Sequence, residues 1–201
     1  KSIPVDLLDS AAELGLRGGF GDDFLWIGST KLFADGALGP QTAAMLKPYE
    51  HSTATGTLLL DREQVFETGQ KAAAAGLGLA VHAIGDRANH EVLAGIEQLR
   101  DYERENHLVA RRHRIEHVQL LHPQDYLALA RLDVIASVQP IHATSDMEIA
   151  DRHWGSRSEG AYAFKTLLEN GTALAFGSDA PVELPNPFLG LHAAVTRRRP
   201  D

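Results

Sequence analysis

The stretch that most constrains the fold is Leu79-Ala-Val-His-Ala-Ile-Gly-Asp86, a short apolar run with one histidine near its end. An apolar run of this length, closed by a glycine turn, is typical of a strand buried on both faces of a parallel sheet. His82 would then lie at the carboxyl end of its strand, where α/β folds carry their chemistry. Three later predicted strand ends repeat the arrangement with His117, His142 and Asp179.

Five segments of this kind alternate with helical patterns along the chain. We predict strands at Phe24–Phe33, Leu77–Ala83, Arg114–Leu120, Val134–Gln139 and Thr172–Gly177. Because crossovers between parallel strands are right-handed, this alternation predicts a parallel sheet with outer helices. A full (β/α)8 barrel needs about 250 residues and eight strands. We therefore predict an α/β fold, a partial (β/α)8 barrel of the TIM type with about five parallel strands, as one domain over residues 1–201. An open doubly wound sheet is the alternative.

Three connecting segments carry further predictions. The segment before the first predicted strand reads as the tail of a helix over Val5–Leu16. A loop of about 20 residues, which is unusual inside a compact domain, runs from Asp35 to about Leu58 and is predicted to be a lid. A polar loop is expected where Asp146, Arg152 and Arg157 lie.

Composition excludes several classes of partner and site. The formal net charge of −8 argues against a nucleic-acid partner, because no basic face offsets it. With no cysteine, disulfides, thiolate metal sites and thiol nucleophiles are excluded. No apolar stretch approaches the ~18 residues that a membrane span needs. We expect a cytoplasmic protein, with a periplasmic location also open.

His82, His117 and Asp179 together suggest a metal site. Imidazole nitrogen and carboxylate oxygen are the usual ligands of zinc apart from sulfur, and the carboxyl ends of parallel strands converge on one mouth. Taken singly, a histidine at a strand end is more often a hydrogen-bonded core residue than a ligand. The joint pattern on successive strands favours the metal.

Lys31 lies inside the first predicted strand, where an ammonium group is costly to bury. It could form an ion pair with Asp35 or extend its charge to the strand end. Alternatively, desolvation could favour the neutral amine, which takes up carbon dioxide to form a carbamate able to bridge two metals.

Four segments together resemble the strand-end motifs of the amidohydrolase superfamily, and most closely those of amidohydrolase family 3, which includes proteins similar to N-substituted formamide deformylase. They are Lys31-Leu-Phe-Ala-Asp-Gly36, His82-Ala-Ile-Gly-Asp-Arg-Ala88, Arg114-Ile-Glu-His117 and Gly177-Ser-Asp-Ala-Pro181. The resemblance covers the chain from about Gly18 to Arg199.

The resemblance implies a deformed (β/α)8 barrel that holds one or two divalent metals, with Zn²⁺ expected. It implies that His82 and His117 are metal ligands, and that Asp179 binds metal and shuttles the proton. Lys31 matches the position that is carboxylated in members with two metals. Members also carry a His-x-His pair on the first strand, and this sequence has none. We therefore expect the chain to be a fragment of a longer protein.

The implied reaction is hydrolysis of C–N bonds in amides, formamides or cyclic amides by a metal-activated water. In this scheme Asp179 accepts the proton of the water and returns it to the leaving amine. His142, Arg152 and Arg157 are candidate contacts to a small-molecule substrate, although solvated loop residues would need no such role. The alternatives are an inactive barrel fragment that self-associates, or a non-enzymatic binder of small molecules. Bare sheet edges favour a homo-oligomer.

Overall fold

The computed structural model describes residues 1–199 and contains one parallel sheet of six strands. The strands are β1 (Ser2–Pro4), β2 (Ser29–Phe33), β3 (Gly78–Ala83), β4 (Arg114–His117), β5 (Ile135–Val138) and β6 (Leu174–Phe176). Each strand pairs with the next one in the chain, so the order in the sheet is β1 to β6 without interruption. Sequential, parallel pairing of this kind is the arrangement of a partial (β/α)8 barrel.

Helices fill the connections between the strands. They are α1 (Leu8–Glu13), α2 (Arg62–Ala74), α3 (Asp86–Glu105), α4 (Ala128–Arg131), α5 (His142–Ser145), α6 (Met147–Trp154), α7 (Phe164–Glu169) and α8 (Pro187–Thr196). Local signals explain several of their starts. Asp61 and Gln64 form a capping box at the start of α2, and Asn186 caps α8 ahead of Pro187. No helix within residues 1–199 combines the length and hydrophobicity of a membrane crossing.

The face of the sheet that is covered by helices is apolar. The strand register aligns Leu32, Val81, Ile115, Ala136 and Leu174 in one row across five strands. The first four of these side chains are fully buried, and the fifth packs against the core. Since the strands advance in one direction through right-handed crossovers, crossover helices such as α2 and α3 lie on this outer side. Burial of this row, together with the apolar faces of α2 and α3, supplies the main hydrophobic core.

The opposite face, which would line the inside of a barrel, is polar. Its rows hold Lys31 beside Ala80 and Arg114, and Phe33 beside His82 and Glu116. Glu116 accepts a hydrogen bond from Arg114 two residues earlier on the same strand and face. Strand alternation places Glu116 on the same face as His82.

A buried charged cluster joins α3 to the amino ends of the strands. Arg100 donates to Glu103 at 2.7 Å and to the carbonyl of Leu132 at 2.9 Å. His113 accepts a hydrogen bond from the Leu79 amide at 3.1 Å, and its Nε2 faces a Glu103 carboxylate oxygen at 3.3 Å. These contacts fix α3 against the outer side of the sheet.

The partial barrel is confirmed, but three sequence predictions about its elements need correction. A sixth strand, β1, opens the chain. The sequence did not indicate it, because a segment of three residues is too short to show alternation. The predicted helix over Val5–Leu16 is shorter: a 3-10 turn at Val5–Leu7 precedes α1. The segment predicted as a polar loop around Asp146 is largely helical, since α5 and α6 pack Trp154 into the core.

The long connection between β2 and α2 is packed rather than free to move. Its residues Leu38, Ala43, Met45 and Tyr49 are buried in the core. The Leu46 amide donates to the Asp86 carboxylate at 2.8 Å. The connection therefore forms a fixed wall, which corrects the prediction of a lid.

Candidate metal and substrate cavity

A cavity of about 480 Å³ opens at the carboxyl ends of the strands. It is lined by five of the side chains that the sequence singled out, which are Lys31, His82, His117, His142 and Asp179. They come from four strand ends and from α5, so segments far apart in sequence meet here. The rings of His82 and His117 are closest, with centroids 4.6 Å apart.

His82 is the penultimate residue of β3, and one of its ring nitrogens forms a hydrogen bond. Its Nε2 donates to the Gly36 carbonyl at 2.8 Å and lies 3.4 Å from an oxygen of Asp35. Because Nε2 carries the hydrogen, Nδ1 keeps its lone pair. Burial lowers the pKa of His82, so the ring is neutral at pH 7.

Asp35 supports His82 from the wall formed by residues 34–61. Its buried carboxylate accepts backbone hydrogen bonds from Ala44, Ile84 and Gly85 at 2.8–3.0 Å. Burial raises the pKa of Asp35 to about 6 although these donors oppose the rise. A side chain on Gly85 could not fit, since a Cβ there would lie 2.0 Å from the Ala44 carbonyl oxygen. One carboxylate thus joins the wall to the turn that follows β3.

His117 ends β4 in a strained backbone conformation. Its φ is +77°, and φ of the next residue, Val118, is +46°. A positive φ is rare outside glycine and costs on the order of 1–3 kcal/mol per residue. Regular alternation would point His117 away from the face of His82, and the positive φ accompanies the approach of the two rings.

The free nitrogen of His117 is defined by its hydrogen bond. Gln139 donates through Nε2 to the Ser137 carbonyl at 3.3 Å, so its Oε1 must be the acceptor for His117 Nδ1 at 2.7 Å. Nε2 of His117 therefore keeps its lone pair. Burial, together with the neighbouring His82, lowers the pKa of His117 to about 3.

The other cavity residues have different surroundings. The His142 ring is stacked on that of His117 with centroids 6.0 Å apart, and its buried Nε2 has no partner within residues 1–199. Asp179 follows β6 with φ of +57°. The Lys31 ammonium lies 4.8 Å from the centroid of the Phe33 ring, and burial lowers its pKa. Within the described residues Lys31 forms no ion pair with Asp35, whose carboxylate instead lies 3.4 Å from the neutral ring of His82.

The chemistry of the donors fits a divalent cation in part. Two neutral imidazoles with a free nitrogen each, beside a carboxylate, are the ligand types that zinc prefers. However, no three His, Cys, Asp or Glu side chains in the described part of the chain are close enough together to hold a metal. The cavity therefore supplies two imidazoles as the core of a ligand set, and Asp179 lines the same cavity.

Two predicted substrate contacts lie elsewhere. Arg157 donates to the carbonyls of Lys47, Pro48 and Trp154 at 2.7–3.0 Å, and Arg152 is exposed on α6. Neither arginine lines this cavity. The guanidinium of Arg157 is occupied in holding the wall, so its position does not support a substrate contact.

Sequence reasoning missed Asp35 and the polar group Gln119, Asp146 and Tyr162. The sequence indicated Asp35 as a turn residue and as a possible partner of Lys31, but not as the residue that contacts His82. Gln119 and Asp146 line the cavity, and Tyr162 bonds to both. No spacing rule connects these three residues, because Gln119 follows β4, whereas Asp146 and Tyr162 lie 16 residues apart in the connection between β5 and β6.

The sequential parallel sheet and the imidazoles at its carboxyl edge define a partial barrel of the kind that carries chemistry at its strand ends. Residues 2–201 match the amidohydrolase family, and the chain belongs to this family.

Two curated relatives and one solved structure extend this finding. The chain is 37% identical over 177 residues to a Bacillus subtilis (strain 168) protein that carries the amidohydrolase name YtcJ, covering 87% of this chain and 32% of that one. It is 34% identical over 202 residues to LONG AFTER FAR-RED 3 of Arabidopsis thaliana, covering 98% and 34% respectively. An uncharacterized metal-dependent hydrolase from Pyrococcus furiosus shares the fold with a TM-score of 0.86 at 34% identity, covering 97% of this chain and 39% of that one. The chain thus spans about a third of the length of the curated relatives.

Proposed function

We propose that this chain forms part of a metal-dependent hydrolase that cleaves C–N bonds of amides, formamides or cyclic amides with water. The observation that carries the proposal is the pair of neutral histidines, His82 and His117, with ring centroids 4.6 Å apart in one cavity with Asp179. Membership of the amidohydrolase family and the likeness to a solved metal-dependent hydrolase support the same class.

Residues of the cavity and its surroundings have assigned roles in metal binding, and Lys31 has a predicted one. His82 through Nδ1 and His117 through Nε2 would hold a divalent metal, with Asp179 as a further ligand and Zn²⁺ as the expected ion. Such an ion, when bound, supplies Lewis acidity towards water and the substrate carbonyl. Asp35 orients His82, and Gln139 orients His117. Carboxylation of Lys31 remains a prediction.

Proton transfer is assigned to Asp179. Its carboxylate accepts a proton from the attacking water as the new C–O bond forms at the carbonyl carbon. As the C–N bond breaks, the same proton passes from Asp179 to the leaving nitrogen. The products are a carboxylic acid, or formic acid from a formamide, and a free amine. His142, which lines the cavity, is the residue that we assign to contact the substrate carbonyl.

Metal binding tests the proposal directly. Calorimetric titration of the 201-residue chain with Zn²⁺ should show binding that His82→Ala and His117→Ala each abolish. Since even the loss of a residue that only supports a ligand costs about 10–100-fold in affinity, removal of a ligand should cost more. His192→Ala, on the exposed surface of α8, is the matched control and should bind Zn²⁺ normally. A folded chain that binds no divalent metal would contradict the proposal.

Turnover is the second measurement. N-benzylformamide, a primary amide and a cyclic ureide are incubated with the zinc-loaded protein, and release of formate, ammonia or ring-opened product is followed. Asp179→Asn should remove the activity without unfolding the chain, whereas Asp151→Asn on α6 should retain it. Equal turnover by Asp179→Asn and wild type would remove Asp179 from the mechanism.

Self-association is a second candidate, which we propose from the exposed apolar surface of α8. Phe188 and Val195 are 74% and 84% exposed, and β1 and β6 are the edge strands of the described sheet. Such a surface favours contact with a second copy of the chain. Light scattering after gel filtration should show a dimer or larger species that Val195→Lys dissociates. A monomer at all concentrations would exclude it.

A further inference from the structure

One wall of the cavity carries a polar network that metal binding does not use. The Tyr162 hydroxyl donates to Oδ2 of Asp146 at 2.7 Å, and Gln119 Nε2 donates to the Tyr162 oxygen at 2.7 Å. Gln119 Nε2 also lies 3.4 Å from the same Asp146 oxygen. Gln119 and Asp146 line the cavity, whereas Tyr162 is buried behind them with 4% exposure.

The network fixes which atoms are free. Burial and the charge of Asp146 raise the pKa of Tyr162, so its hydroxyl remains a donor and occupies Oδ2. Within residues 1–199, Oδ1 of Asp146 and Oε1 of Gln119 accept no hydrogen bond from the protein. Two acceptor oxygens are thus available on one wall, and their side chains are held in place from behind.

A neighbouring side chain independently points to a ligand. His142 is only 7% exposed, and its Nε2 is buried without a partner in the described part of the chain. It lines the same cavity and lies one turn before Asp146, whose amide donates to the His142 carbonyl at 2.9 Å. Buried polar atoms are nearly always paired, so this unpartnered nitrogen next to the cavity indicates a missing partner.

The charge of the cavity favours a donor-rich ligand. Asp179 is assigned to the metal, so the rest of the lining contains the carboxylates of Asp146 and Glu183 and a single ammonium, that of Lys31. Apolar side chains complete the lining, among them Phe33, Leu38, Ile84 and Val182. A ligand with an apolar body and a cationic, N–H-bearing head complements both features.

We propose that Asp146 and Gln119 form a substrate subsite that binds an ammonium or guanidinium group. The inference extends the proposed function, since the group would belong to the substrate whose C–N bond is cleaved. The two acceptor oxygens would discriminate between ligands by the head group that the ligand carries. An ammonium or guanidinium can donate to both, a hydroxyl offers a single hydrogen, and a carboxylate is repelled by Asp146.

The test uses small probes that share an apolar ring and differ in the head group. Benzylammonium, benzyl alcohol and benzoate are titrated into the ¹⁵N-labelled 201-residue chain without metal, and dissociation constants come from amide shifts near Gln119 and Asp146. Benzylammonium should bind at least about tenfold more tightly than benzyl alcohol, with benzoate weaker still.

Three variants assign that preference to the subsite. Asp146→Asn should lower the preference to less than about threefold, because the charge is lost at constant size. Asp151→Asn, which removes the same charge from α6 outside the cavity, should leave it unchanged. Tyr162→Phe keeps the carboxylate but frees it from its donor, and should weaken benzylammonium binding by a smaller factor.

The outcomes are decisive in either direction. Equal binding of benzylammonium and benzyl alcohol by wild type overturns the proposal, even if Asp146→Asn fails to fold. A folded Asp146→Asn protein that keeps the wild-type preference also overturns it. The measurement needs neither zinc nor turnover, so a failure of the proposed hydrolase activity would be seen separately.

Discussion

The two faces of the sheet come from the same strands but serve different purposes. On the outer face, Leu32, Val81 and Ile115 form an apolar row beneath the helices and are fully buried. On the inner face, one residue along each strand, Phe33, His82 and Glu116 form a row that is exposed or only partly buried. The outer row holds the fold together, and the inner row is free to carry chemistry because stability depends on it less.

The largest expected difference between the faces is in packing. Leu79→Ala, on the outer face, should lower the free energy of unfolding by about 2–5 kcal/mol, because it leaves a cavity in a fully buried region. Phe33→Ala, on the inner face, removes a side chain that is 54% exposed and should cost less than about 1 kcal/mol. Urea unfolding followed by circular dichroism measures both. Equal losses would mean that the inner face stabilises this chain as much as the outer one.

The second-largest loss of stability is expected when a buried carboxylate next to the inner face is replaced. Asp35→Asn places an NH₂ group against backbone donors, and each buried donor left unpaired costs about 1–3 kcal/mol. Asp22 also accepts two backbone hydrogen bonds, from Phe24 and Leu25, but it is exposed. Asp22→Asn should therefore change stability little, since water replaces what is lost. Thermal unfolding compares the stability of the two variants. An Asp35→Asn protein as stable as wild type would show that the hydrogen bonds accepted by Asp35 do not stabilise this wall.

The third prediction concerns pH and the outer face. Burial, together with the positive charge of Arg100, lowers the pKa of His113 below its ordinary value, although Glu103 and Asp133 act in the opposite direction. Below about pH 6.5 the unfolded chain binds a proton that the folded chain excludes, so stability falls as the pH decreases and is fully present above that value.

Two substitutions isolate this contribution. His113→Asn keeps an acceptor for the Leu79 amide but cannot titrate, so its stability should depend less on pH between 7 and 5 than that of wild type. His107→Asn is the control, since His107 is exposed and its positive φ suits asparagine. Identical pH profiles for wild type and His113→Asn would exclude a contribution from His113.

The smallest effect is expected from the ion pair on the inner face. Arg114 donates to Glu116, and the Arg114 side chain is 42% exposed, so water screens the attraction. Glu116→Gln should change the free energy of unfolding by less than about 1 kcal/mol. A loss of several kcal/mol in chemical denaturation would show that this face carries a buried charge network.

The sequence predicted the features that depend on local pattern. The strands around Val81, Ile115 and Ala136 stand out because apolar runs flanked by turn signals are read directly. The capping signals of α2 and the candidate residues His82, His117 and Asp179 were accessible in the same way, since the carboxyl ends of parallel strands must meet.

Features that depend on tertiary contact could not be read. No local rule states that the positive φ of His117 accompanies a ring directed towards His82. The buried role of Asp35 depends on three amides, two of which lie about 50 residues away. The segment around Asp146 is helical because Trp154 packs into the core, and such a tertiary contact is not visible in the local sequence.

The uninterrupted order of the strands has a consequence for synthesis of the chain. Each strand after β1 finds its hydrogen-bonded partner in the strand that immediately precedes it. A polypeptide leaving the ribosome can therefore dock every new βα unit onto one that has already emerged, without waiting for a distant segment.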